Sequence, residues 1–191
     1  LVGVICRKMI YEVILSTLRP DGSPHWAPMG LREEGSFYVL RPFKTSHTYK
    51  FLLKHPYAVA NIVDDILPFC MSALGDPSFD CIPARHIKGF VYVDVCAWME
   101  LEAIEEKNGE EASSFICSLV YRGMGRPFRG YNRARGLIME LLIAATRYQF
   151  YTEGFFEKLI SEAKVLTEKT GGEGERKAIC IIEEYLKGVF S

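Results

Sequence analysis

The chain has 191 residues, of which 49% are apolar and 13% aromatic. This suits one domain, or one domain with a helical appendage, and excludes intrinsic disorder. Its 24 acidic and 23 basic side chains leave a net charge of −1, so no global basic field is present to hold nucleic acid. No apolar run approaches the ~20 residues of a membrane span, and no signal-peptide pattern is visible. The six cysteines (Cys6, Cys70, Cys81, Cys96, Cys117 and Cys180) form no CxxC pair, and the four histidines do not fall beside them at metal-ligand spacing. Buried thiols of a cytoplasmic protein are expected, with no metal site.

In chain order, residues 9–18 (MIYEVILSTL) are rich in β-branched and aromatic side chains and read as a strand that stops at Pro20-Asp21-Gly22, a turn signal. Residues 24–32 and 36–41 read as the next two strands, parted by Glu33-Glu34-Gly35. Helical spacing over 46–54 ends before Pro56, and 57–63 (YAVANIV) forms a fourth strand. Pro68, Pro77 and Pro83 break the stretch 64–88, which is expected to be loop with short pieces of structure. Residues 90–102 alternate as one long strand, with Val91, Val93, Val95, Ala97, Met99 and Leu101 on one face; a bend or bulge is expected in it. Asn108-Gly109 is a hairpin signal, and 112–121 is the return strand. Helical patterns follow at 131–147, 153–169 and 173–188. Hairpin connections with one short helix among the strands argue for an antiparallel barrel rather than a βαβ fold. The expectation is a mainly β chain: a six-stranded antiparallel split barrel over 1–125, then a C-terminal helical segment over 126–191 packed on the barrel or at a dimer interface.

The stretch Arg41-Pro42-Phe43-Lys44-Thr45-Ser46-His47-Thr48-Tyr49-Lys50 joins the end of a strand to the start of a helix. Cations, hydroxyls and free backbone N–H groups there converge on a helix N-terminus, which suits a phosphate dianion. An ordinary N-cap at Thr45 or Ser46 with solvated cations reads equally well from the residues alone. In the helix 131–147, Arg133, Glu140 and Arg147 recur every seven residues beside Gly136 and Ala144, with Asn132 a plausible cap. This stripe reads as a subunit contact, a wall of a ligand site, or a solvated face.

The residues YEVILSTLRPDGSPHWAPMGL (11–31), LRPFKTSHTYKFL (40–52), AVANIVDD (58–65) and YNRARGLIMELLIAATR (131–147) resemble the FMN-binding split barrels of pyridoxamine-phosphate oxidases and flavoredoxin-type reductases. More closely, they resemble a largely archaeal family of uncharacterised proteins with that fold. The resemblance implies a homodimer with FMN in a groove between subunits. It places the phosphate near Arg41, Thr45, Ser46 and Thr48, with Lys44 and His47 beside them. Ser16, Thr17, Pro28, Met29 and Gly30 would lie along the ring system, Asn61 at the flavin edge, and Asn132 and Arg133 near the site. The C-terminal substrate-binding pattern of the oxidases is missing, so pyridoxamine-phosphate oxidation is not expected. The implied function is a flavin-dependent oxidoreductase or flavin reductase with a nicotinamide or other electron donor; no catalytic side chain is nominated. The alternatives are a non-catalytic flavin-binding or electron-transfer module, or a barrel holding a deazaflavin or a haem, for which His25 or His86 would be the axial candidates.

Overall fold

The structure, a computed structural model, describes residues 9–191, so Cys6 lies outside the described residues. Strands β1 (Met9–Leu18) and β2 (Pro24–Glu34) are joined by the expected turn. Gly22 closes it by donating to Arg19 O at 2.9 Å, at φ +84°, where a side chain would be strained. Asp21 Oδ1 accepts from the N–H and hydroxyl of Ser23, at 2.9 and 2.7 Å. Then follow β3 (Phe37–Leu40), α1 (His47–Lys54), β4 (Tyr57–Ile62), α2 (Leu67–Leu74), β5 (Cys81–Pro83), β6 (Phe90–Tyr92), β7 (Ala97–Lys107), β8 (Ser114–Met124), α3 (Arg133–Ala145), a short 3-10 turn (Tyr148–Phe150), α4 (Glu153–Thr170) and α5 (Glu173–Phe190).

The chain forms two compact units. One runs to Val63 and resumes over Ser78–Phe128; the other comprises Asp64–Pro77 and Arg129–Ser191. In the first, six strands pair in the order β1, β2, β3, β8, β7, β4, and β4 returns to β1 to close an antiparallel barrel. Alternation sends Val13, Leu15, Leu31, Leu40, Ala58, Ala60, Met99, Leu101 and Phe115 inward to one core.

The opposite face of β1, β4 and β7 is also covered. Val59 and Trp98 on the strands pack with Val91 and Val95, making a second apolar layer outside the barrel. Three polar side chains share this covered face, and each holds the segment that lies across it. Ser16 Oγ donates to Phe90 O at 2.6 Å. Asn61 Nδ2 donates to Ile14 O and Val59 O, at 3.0 and 3.2 Å, while its Oδ1 accepts from Tyr92 N–H at 2.9 Å. Glu100, with 0% of its surface exposed, accepts from the N–H groups of Arg85 (2.8 Å) and His86 (2.7 Å) and from Trp98 Nε1–H (3.2 Å). Buried polar groups persist when they are bonded in this way.

Two local expectations are corrected. Residues 90–102 are not one strand. The chain leaves β6 after Tyr92, turns, and enters β7 at Ala97. The break is fixed from a distance: Cys96 N–H donates to Ile62 O, and Val95 O accepts from Arg126 N–H, both at 2.9 Å. Val93, expected on the apolar face, is therefore exposed. The irregularities between Glu100 and Leu101 and between Ala103 and Glu105 supply the expected bulge in β7 itself.

Second, Asn108-Gly109 does not make a two-residue turn. The loop runs from Asn108 to Ser113, and Gly109 is not at positive φ. The return strand is held instead by a bridge from Ala112 to Phe43 and by Ser113 N–H on Pro42 O at 3.2 Å. The proline-broken stretch 64–88 is loop with two short elements, α2 and β5; Pro68 stands in the first turn of α2, where no N–H is needed.

In the second unit the three expected C-terminal helices form, together with α2. Ala134, Ala163 and Ala178 are fully buried, small enough to let helix backbones approach, and Ile138, Leu141 and Ile182 fill the space between. Arg135 of α3 donates to Glu175 of α5 at 2.6 Å and to Asp64 O. Burial pushes the Glu175 carboxyl up, but the hydrogen bond from Arg135 and the N–H of Gly172, 2.7 Å away, outweigh it. The group therefore rests below its ordinary 4.5. A depressed carboxylate contributes stability that is full above its unfolded value and is lost as pH falls through the lower folded one. Helix content followed by circular dichroism should therefore fall away below about pH 4.5 more steeply in the native protein than in Glu175→Gln, which is less stable near neutrality. Parallel pH profiles for the two proteins would contradict this.

None of the five described cysteines is in a disulfide. Burial pushes Cys70 and Cys117 up to about 12, with the Asp65 carboxylate adding to the effect at Cys70. Thiolate is the reactive form, so a disulfide reagent at about pH 8 should label exposed Cys180 quickly and leave Cys70 and Cys117 untouched until denaturant is added. Mass mapping of the labelled peptides reads this directly, and equal labelling of the three would contradict it.

Candidate functional site

The barrel's most cation- and donor-rich segment joins β3 to α1. Ser46 caps the helix: its Oγ accepts from Tyr49 N–H at 3.2 Å, while the hydroxyl donates to Phe43 O at 2.7 Å. That hydroxyl is fully engaged in the cap. Arg41, Thr45 and His47 are exposed, Lys44 is half-buried, and Thr48 is buried. The backbone of Lys44 is pinned by its N–H to Glu111 O at 2.9 Å. The first N–H groups of α1, on His47 and Thr48, have no intrahelical acceptor and point out of the helix end. Exposed Thr45 precedes them and exposed Arg41 opens the same short connection, residue types that suit a dianion at a fixed partial positive charge.

Next to this end the rings of His25, His47 and Phe51 meet, at 5.8 Å for His25–His47, 5.3 Å for His25–Phe51 and 5.7 Å for His47–Phe51. Thr17 stands across the β1–β2 ladder from His25, and Ser16 across from Trp26. Thr17 Oγ1 and Trp26 Nε1 are buried without a hydrogen-bond partner among the described residues. Such groups are rare and take a partner from ordered water or a bound molecule. The Trp26 ring packs on Phe79 and Tyr92, at 5.6 and 6.4 Å.

The remaining sequence candidates divide by face. Leu31 pairs with Leu40, so Gly30 and Arg41 flank the end of the β2–β3 pairing. A Cβ on Gly30 would sit 3.1 Å from Ile10 Cγ2, so the missing side chain lets β1 lie close across β2. Pro28, half-buried, shares the outward face with Gly30, whereas Met29 points inward and packs on the barrel core. Asn61 has both ends of its amide on backbone groups, as described above. Asn132 belongs to the helical unit: it caps α3 by accepting from Arg135 N–H at 3.2 Å and donates to Thr170 O at 2.6 Å. Arg133 and Glu140 are exposed on α3, and Arg147, also exposed, lies past its end before the 3-10 turn, so the expected stripe is cut short.

Trp26 and Glu100 escaped the sequence reading. Glu100 stood on the polar side of an alternating strand, the mark of a solvated residue. Only its position opposite Val59, in a strand covered on both faces, shows otherwise.

The N-terminal profile of the family described as protein of unknown function DUF447 matches residues 11–126, and its C-terminal profile matches residues 132–184. The chain belongs to the DUF447 family. This DUF447 chain is 29% identical to an FMN-bound protein of the same family from Methanosarcina mazei, over 94% of this chain and 96% of that one, with a TM-score of 0.79. It also superposes on an FMN-binding protein from Thermus thermophilus with bound 1-cyclohex-2-enone (14% identity, 68% and 84% coverage, TM-score 0.53). The flavin reductase of styrene monooxygenase from Pseudomonas putida S12 matches at 13% identity, 61% and 81% coverage and a TM-score of 0.52. At such identities the last two show a shared barrel fold. No curated protein matches the sequence. Among the described residues of this DUF447 protein, no group of three or more His, Cys, Asp or Glu side chains could hold a metal ion. No described helix is long and apolar enough to cross a membrane.

Proposed function

We propose that the protein binds FMN and acts as a flavin-dependent oxidoreductase, with the phosphate held at the start of α1. The observation that carries this is the match, over nearly the whole of both chains, to a family member whose structure holds FMN. The residues of this chain fit the group. Arg41, Thr45 and the N–H groups of His47 and Thr48 suit a terminal phosphate, and Thr17 Oγ1, on the same face as His25, is a group that a bound molecule would satisfy. When bound, a flavin supplies hydride and electron transfer, and the protein supplies position and charge. Arg41 and Lys44 neutralise the phosphate. Half-buried Pro28 lies on the outer surface of β2, where a flat ring can lie, while the space over Gly30 is taken by the Ile10 side chain.

The split-barrel reductases this chain superposes on suggest a reduced nicotinamide as donor, and a homodimer is the assembly that would close a groove along β2. The free thiols suit a reducing cytoplasm. Anaerobic mixing of the FMN-loaded protein with NADH or NADPH, followed by the loss of flavin absorbance, tests the catalytic part. Bleaching faster than that of free FMN supports a reductase. Flavin that stays bound and oxidised with both donors would reduce the reading to a binding or electron-carrying module.

A further inference from the structure

One end of the barrel carries a second hollow that the flavin reading leaves unused. It has a volume of about 290 Å³, at the lower edge of the range for small-molecule sites, and is lined by Tyr11, Glu33, Tyr38, Ile62, Ala97, Met99, Arg122 and Met124. It is formed within the barrel unit. None of its lining residues belongs to the connection 41–46 between β3 and α1, and on β1 it lies towards the Met9 end, whereas Thr17 lies at the other.

Its polar groups are arranged rather than scattered. Arg122 Nη2 donates to Tyr38 OH at 2.7 Å and approaches Met99 Sδ at 3.6 Å, which fixes the guanidinium at the rim. Tyr38 is itself 6% exposed, so its hydroxyl is a firm anchor. Among the described residues Arg122 forms no ion pair with a carboxylate, which leaves the rest of its fork free to bind. Elsewhere in the lining, Tyr11 OH donates to Glu33 Oε2 at 2.8 Å, and this hydrogen bond pushes the phenol up, so Tyr11 stays a donor and Glu33 keeps a free acceptor oxygen. Ile62, Ala97, Met99 and Met124 give the hollow an apolar lining, and methionine adapts to varied shapes.

We infer that this barrel-end hollow binds a small carboxylic acid with an apolar, ring-sized body and a hydroxyl or ammonium group away from the carboxylate. The carboxylate pairs with Arg122, the body lies on Met99 and Ile62, and the hydroxyl or ammonium donates to Glu33. Arginine held in place by a neighbour loses little freedom on pairing, and its planar fork matches a carboxylate. The inference does not depend on flavin binding.

The test is titration of the full chain with 4-hydroxyphenylacetate and with its neutral amide, read by protein NMR shifts and by calorimetry, with and without FMN. Saturable binding of the acid is expected, with the amide weaker by about tenfold or more, since a charge-assisted pair contributes roughly 1.5–3 kcal/mol. Arg122→Met should weaken the acid by a similar factor, and Tyr38→Phe, which frees the guanidinium, by about threefold to tenfold. Arg122 is exposed, so its variant should fold normally, and the unchanged helix signal checks this. Shifts should map to Tyr11, Met99 and Arg122 and persist with FMN present. Absence of saturable binding, equal binding by Arg122→Met, or displacement of the acid by FMN would each overturn the inference.

Discussion

Arg41→Ala should lower FMN affinity by about tenfold to a hundredfold while leaving riboflavin affinity nearly unchanged. The reasoning is local. Arg41 is exposed at the end of β3, one residue beyond the Leu31–Leu40 pair and five residues before the capping Ser46. A charge-assisted bond to a phosphate is worth roughly 1.5–3 kcal/mol, and about 1.4 kcal/mol is tenfold in affinity. Riboflavin lacks the phosphate, so an effect routed through that group must vanish with it. Thr45→Ala should act in the same direction and more weakly, because a neutral hydroxyl contributes about 1 kcal/mol. Ser46→Ala makes a useful contrast. Its hydroxyl already serves Tyr49 and Phe43, so the expected loss is stability, about 1 kcal/mol for an N-cap, with any effect on flavin secondary. Fluorescence titration of the apoprotein with both flavins reads these outcomes. Equal weakening of FMN and riboflavin by Arg41→Ala would place the phosphate elsewhere.

Glu100→Ala should be the most damaging single change in the barrel. The carboxylate is fully buried and takes three N–H donors, two of them from the backbone of Arg85 and His86. Alanine leaves those donors facing an emptied space, and each unsatisfied buried donor costs about 1–3 kcal/mol. A loss of about 3 kcal/mol would lower the melting temperature by roughly 6–12 °C in a chain of this size. Glu100→Gln should cost about half as much, since one acceptor oxygen survives while the new NH₂ opposes an N–H. The lost bonds also release the segment that carries Val91 and Val95, so proteolysis should open at residues 84–92 first. Thermal melts with exposed Glu106→Ala as control decide the matter. Similar melting of the Glu100 and Glu106 variants would show that the carboxylate anchors nothing.

What could be read in advance followed the range of the forces involved. The β1–β2 hairpin was legible because Pro20-Asp21-Gly22 forms its turn from its own side chains. Both ends of α1 were equally legible, because Ser46 and Pro56 act within a few residues. The antiparallel barrel and the helical end followed from pattern and connection length, whereas the order of strands round the barrel did not. The break at 93–96 was hidden because its anchors, Ile62 and Arg126, lie about thirty residues away on either side. At Asn108-Gly109 a strong local preference lost to pairing with Pro42 and Phe43. Glu100 looked solvated because alternation tells which residues share a face, not whether that face is covered. In the candidate site the residue types round Arg41 were visible. Their division into a capping serine and an exposed Arg41 and Thr45 was not, because Ser46 can serve a helix or a phosphate with the same hydroxyl.

The most direct measurement is the visible spectrum of the purified protein, followed by denaturation and mass determination of any chromophore released. Bands near ~370 and ~450 nm with a released mass equal to FMN are expected, and a preparation purified without cofactor should take up added FMN to one per chain. A colourless protein that fails to take up FMN would contradict the proposed flavin site, and a released deazaflavin or haem would replace it with a different ligand.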